Sequence, residues 1–200
     1  MSAGPTSERV HQGLRELIMA KRYRPGARLE PAELTSLLLA STTPVREALN
    51  QLVGEGLVET RSGGGFHVPL VDEPGLKDLY AWSGEIIQLA LRAIHLSKLA
   101  AIQLRSEDNV AAAATFLLQD IATASVNREH GSAMTRINAR LFASRLGEQQ
   151  IWDDAEKEIG ALAELARRGD VPGLRQACSA YHRRRIRTTA KLLHHLYREE

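Results

Sequence analysis

The residues with chemistry to offer gather in two short stretches. In the first, residues 41–50 (STTPVREALN), three hydroxyls stand ahead of an arginine, a carboxylate and an amide. Ser41, Thr42 and Thr43 can donate to phosphate oxygens, which fixes register without reading sequence. Arg46, one turn further on, matches the O6/N7 edge of guanine with two parallel N–H groups, or a backbone phosphate. In the second stretch, residues 61–67 (RSGGGFH), Arg61 and His67 flank Gly63, Gly64 and Gly65. Three residues without a Cβ let a loop tip come close to a groove wall. This is the chemistry of gripping duplex DNA, not of breaking bonds. A plainer reading stands beside it: Arg46 as a solvated helix arginine and the glycines as a passive turn.

Elements must hold these groups. Pro44 suits the first turn of a helix, with Thr42 or Thr43 as its cap. Val45, Leu49, Leu52 and Val53 then recur at helical spacing and define a buried face. Thr43, Arg46, Glu47 and Asn50 are left pointing outward, and Gly54 and Gly56 close the helix. Residues 57–60 and 66–70 flank the glycines as a β-hairpin.

Upstream, residues 1–5 read as a flexible start. Val10, Leu14, Leu17 and Ile18 stripe a first helix over residues 7–21. Pro25-Gly26 stops it. Pro31 starts a second helix, with Leu34, Leu37 and Leu38 inward. Three helices and a hairpin within residues 1–70 spell a winged helix-turn-helix. Residues 71–75 (VDEPG) form the linker. Beyond them, residues 76–97, 107–125, 132–146, 149–168 and 171–198 show helical periodicity without a convincing strand, giving an all-α bundle over 76–200. The expected fold class is therefore mainly α.

The apolar fraction of 44 % is ample for a core, and with aromatics at only 4 % helix formers dominate. A net charge of +2 argues against blanket coating of nucleic acid, so contact with DNA must come from a local patch, repeated by dimerisation. Cys178 is the single cysteine, which excludes an intrachain disulfide. No apolar run approaches a membrane span, and no signal-peptide core opens the chain. The expected setting is the cytoplasm, with no membrane partner.

Four blocks in order, residues 23–29 (YRPGARL), 41–49 (STTPVREAL), 54–59 (GEGLVE) and 63–68 (GGGFHV), resemble the GntR family of bacterial transcription regulators. The helical remainder resembles the FadR-type (FCD) branch, on helix count, Tyr80, and residues 166–170 (ARRGD) followed by His182. The resemblance implies a homodimeric DNA-binding regulator, a repressor in most such proteins, acting on a pseudo-palindromic operator and answering to a small-molecule effector. Two departures from the family stand out. Thr42 replaces an arginine common in the S-R-T-P stretch, which implies weaker binding with a shallower salt dependence. Leu39 replaces a frequent glycine, which implies a turn of different conformation.

The resemblance also implies a divalent metal held by one Asp and three His. Those places fall near Thr135, Ala139 and Ile159 or Gly160, and only His182 keeps its ligand, so no metal and no cofactor is expected. Ser83 stands where the family's carboxylate-anchoring arginine would be. His182 and Asn138 are left as candidate effector contacts, with His182 as an ordinary core or surface histidine the plainer reading. The arginines at 183–185 and 187 read as an anion grip or as a solvated face balanced by acids. His194 and His195 near the C-terminus read as a frayed end.

Two alternatives remain. The bundle could serve dimerisation alone, without an effector. An enzyme fits worst, since the chain has no phosphate loop or nucleophile elbow. Only a Cys178/His182 pair, four residues apart, is conceivable as a dyad.

Overall fold

A computed structural model describes residues 5–20, 22–104 and 109–198. The chain divides into two compact units, residues 1–71 and 72–200. The first holds α1 (Pro5–Met19), β1 (Arg28–Leu29), α2 (Pro31–Leu38), α3 (Thr42–Glu55), β2 (Glu59–Thr60) and β3 (Phe66–His67). It is a three-helix winged helix-turn-helix with a small antiparallel sheet.

Val10, Leu14 and Ile18 of α1 and Leu34 and Leu38 of α2 are buried, and both helices pack on α3. The inward face of α3 is Val45, Ala48, Leu49 and Leu52. Val53, expected there, is only half-buried, and Leu37 of α2 is exposed. Ala48 takes the position because it lies three residues after Val45 and one before Leu49, on the same stripe. Polar bonds fix the angle between helices. Ser7 Oγ donates to Glu47 at 2.7 Å, and His11 Nε2 meets Glu55 at 2.7 Å.

The start of α3 differs from expectation. Ser41 is its N-cap, so Thr42 and Thr43 are its first residues and Pro44 is third. Leu39 also departs. It adopts φ 49° and ψ 52°, the left-handed turn that a glycine would supply, not a different one. Its side chain stays in solvent, while Arg9 donates to the carbonyls of Leu38 at 3.0 Å and Leu39 at 3.3 Å. The turn is thus held from outside despite its unfavourable side chain.

The hairpin is one part of a three-stranded sheet of order β1-β3-β2. Local sequence marks residues 23–29 as a helix stop and a family-like block, not as a strand. There, Arg28 pairs with His67 and Leu29 with Phe66, so β1 closes the open edge of β3.

The second unit holds α4 (Glu73–Arg92), α5 (Leu96–Ala100), α6 (Val110–Thr123), α7 (Glu129–Leu146), α8 (Glu148–Ile151), α9 (Ala155–Arg167), α10 (Val171–Arg187) and α11 (Thr189–Arg198). α4 packs against α7 and α10, and α6 against α7. Part of the expected linker is helix: Asp72 caps α4 by accepting from the Gly75 amide at 2.7 Å. The expected helix 171–198 breaks at Thr188. A lone antiparallel bridge, Ile94 to Ser125, joins two loops. Expectations for residues 1–4, Lys21, residues 107–108 and residues 199–200 lie outside the described residues. Among the described residues, no helix is long and apolar enough to cross a membrane.

Candidate nucleic-acid interface and bundle core

The first turn of α3 is a cluster of donors facing solvent. Ser41, Thr42 and Thr43 are exposed, and the Ser41 hydroxyl makes no capping bond. The leading amides of α3 are therefore free of side-chain acceptors, and the helix dipole adds partial positive charge there. Such an end receives phosphate oxygens. Arg46 and Asn50 are exposed on the same side. Arg46 makes no hydrogen bond or ion pair among the described residues, whereas Glu47 is drawn toward α1 by Ser7. A free cation with its neighbouring carboxylate engaged elsewhere is suited to an anionic partner.

At the wing, Gly64 (φ 79°) and Gly65 (φ 84°) turn the chain, and Gly63 needs no such conformation. A Cβ on Gly65 would lie 3.2 Å from Arg28 Nε. Arg28, itself ion-paired with Glu30 at 2.8 Å, thus reaches the wing, which sequence reading missed, since only strand pairing brings residue 28 beside residue 65. Arg61 is not free: its Nε donates to Glu59 at 2.8 Å. His67 is not at the tip. It sits half-buried in the central strand between Arg28 and Glu59, with Nδ1 buried and unpartnered.

In the helical unit the structure gives His182 and Asn138 partners within the core. His182 Nδ1 donates to the Cys178 carbonyl at 2.7 Å, so Nε2 is the acceptor and receives the Ser83 hydroxyl at 3.1 Å. Gly84 permits this approach, because a Cβ there would meet His182 Cγ at 3.2 Å. Burial holds the imidazole down at about 3, so it is neutral. His182 meets the Cys178 backbone rather than its sulfur, and burial pushes the thiol up to about 12. That is no nucleophilic dyad. Asn138 donates to the Thr115 carbonyl at 3.0 Å and accepts from Arg145 at 2.8 Å.

The expected metal places do not fit a metal. Thr135 is hydrogen-bonded to Gln119 and Gly131, and Ala139 and Ile159 are buried and apolar. Among the described residues, no three His, Cys, Asp or Glu side chains cluster.

The arginine run is not one solvated face. Arg185 is fully buried, with Glu148 at 2.6 Å and Glu158 at 2.7 Å. Its neighbour Arg184 pairs with Asp154 and stacks on Trp152 with 4.7 Å to the ring centroid. Helical spacing turns adjacent arginines to different surroundings, which a charge count does not show.

Comparison with known proteins fits the first unit. The model of the family described as Bacterial regulatory proteins, gntR family, matches residues 6–68. The Nta operon transcriptional regulator of Aminobacter aminovorans is 33 % identical over 103 residues, covering 52 % of this chain and 46 % of that one. The Uxu operon transcriptional regulator of Escherichia coli strain K12 is 40 % identical over 73 residues, covering 34 % and 28 %. The match thus spans less than half the length of these curated relatives. Among solved structures, E. coli McbR/YncC has a TM-score of 0.69 at 20 % identity, covering 94 % of this chain and 99 % of that one. A GntR protein from Rhodococcus sp. RHA1 has a TM-score of 0.69 at 17 % identity, covering 96 % and 99 %. At these identities the likeness is one of fold.

Proposed function

We propose, from the match of residues 6–68 to the gntR family of bacterial regulatory proteins, that the chain is a sequence-specific, DNA-binding transcription regulator of the cytoplasm. It binds a pseudo-palindromic operator as a homodimer, represses from it, and answers to a small-molecule effector in an FCD-like helical unit. The observation that carries the DNA-binding part is the unengaged Arg46 beside the uncapped start of α3. Two copies of that surface require a two-fold target, because protein symmetry is matched by operator symmetry. Residues 41–43 and the wing supply phosphate contacts, and Arg46 reads a base.

Selection of bound duplexes from a random pool tests this reading. An enriched palindrome is expected. Arg46→Ala should weaken it by about 1–3 kcal/mol and relax preference at one symmetric pair of positions. Equal loss on every sequence would make Arg46 a phosphate contact. Failure to bind any duplex at low salt overturns the proposal.

A second reading makes the helical unit a dimerisation module without a ligand. It draws on His182 and Asn138, whose polar groups bond within the core.

A further inference from the structure

The core of the helical unit contains two guanidinium groups and supplies carboxylates to one. Arg185 takes Glu148 and Glu158. Arg145, at the end of α7, is 1 % exposed and has no carboxylate partner among the described residues. Its Nη1 donates to Thr115 Oγ1 at 2.9 Å and to Asn138 Oδ1 at 2.8 Å, both neutral. Its Nε and Nη2 are buried and have no hydrogen-bond partner. A guanidinium cannot shed its proton, so among the described residues a buried cation is left with two unanswered donors and no carboxylate within ion-pair distance, an unfavourable arrangement.

The two unpartnered groups are adjacent on one edge of the guanidinium. That edge presents two parallel N–H donors, the geometry that receives two oxygens of one anion. Thr115 and Asn138 fix the opposite corner and thereby aim the edge. The Tyr181 hydroxyl is also buried and unpartnered. The guanidinium 3.3 Å above the Tyr181 ring centroid is that of Arg185, not Arg145.

We propose that the Nε/Nη2 edge of Arg145 binds the oxyanion group of a small ligand, carboxylate or phosphate. Thr115 and Asn138 are positioning residues. The inference rests on the effector reading of the helical unit and gives that effector a chemical class and an anchor.

The test is thermal unfolding of the full chain, titrated with acetate and, separately, inorganic phosphate, at ionic strength held constant with sodium chloride. One of the two should raise the midpoint saturably by several degrees, and which one does so identifies the oxyanion. Arg145→Lys keeps the charge but loses the fork, and should weaken the response at least tenfold. Arg145→Met should abolish it while unfolding no earlier than wild type in chloride alone, because the buried charge and its two unanswered donors are gone. A wild-type response no different from chloride, or a saturable response retained in Arg145→Met, overturns the assignment. So does an Arg145→Met chain that unfolds earlier yet responds equally, which makes the arginine structural. Binding of the selected duplex, followed by fluorescence anisotropy on the same samples, separates this outcome from failure of the regulator reading.

Discussion

Glu148 Oε2 lies 2.6 Å from Arg185 Nη2, and neither side chain is more than 1 % exposed. The same carboxylate accepts from the Tyr80 hydroxyl at 2.9 Å, tying α4, α8 and α10 together at one point. The Arg185 guanidinium also lies 3.3 Å above the Tyr181 ring centroid. A buried pair of this kind adds little net stability against an apolar substitute, yet it is costly to break from one side. Arg185→Met, which leaves Glu148 charged and unpaired, should lower stability by about 3–5 kcal/mol in urea unfolding. The double change Glu148→Leu with Arg185→Met should recover most of that loss. An additive double mutant would contradict this account.

His182 makes stability depend on pH below neutrality. Its folded-state value, held at about 3 by burial, lies below the ordinary 6.5. The unfolded chain therefore takes up a proton first as pH falls through 6.5, and the contribution is complete above that value. The loss amounts to about 2 kcal/mol by pH 5. Urea midpoints across pH 5–8 measure it, and His182→Gln should flatten this dependence. An equally steep profile in the variant would place the effect elsewhere.

Leu39 holds a conformation that costs an L-residue about 1–2 kcal/mol relative to glycine, and its side chain is exposed. Leu39→Gly should stabilise the first unit by roughly 0.5–1 kcal/mol, since the added freedom of the unfolded glycine offsets part of the relief. A loss of stability would show that the Leu39 side chain makes contacts of its own.

Thr42 is the exposed first residue of α3. On the selected operator, Thr42→Arg should bind more tightly at low salt. It should steepen the salt dependence by about two phosphate equivalents per dimer, one from each copy. An unchanged slope would mean that residue 42 does not face the backbone.

Cys178 should resist iodoacetamide in the native chain. Its thiol is fully buried and pushed up to about 12, so little thiolate is present at neutral pH. Mass spectrometry should find labelling only after denaturation. Native labelling would reveal opening of the core at α10.

Local chemistry determined a good deal in advance. The apolar stripe of α3, its outward Thr43, Arg46, Glu47 and Asn50, and the glycine wing follow from helical periodicity and from the absence of a Cβ, which depend on residues a few positions apart. The order of three helices and a hairpin, then helices alone, is legible for the same reason. What lay beyond the sequence was every relationship between residues far apart in the chain. Strand β1 exists only because Arg28 and Leu29 find the edge of β3, which also brings Arg28 to the wing. Asn138 is engaged by Arg145, and His182 by Ser83, ninety-nine positions away. The arginine run divides between solvent and core because only packing decides which guanidinium finds Glu148. Periodicity assigns a residue to a face, but the partner that face meets, and whether a buried charge finds its counter-ion, is decided by the folded whole.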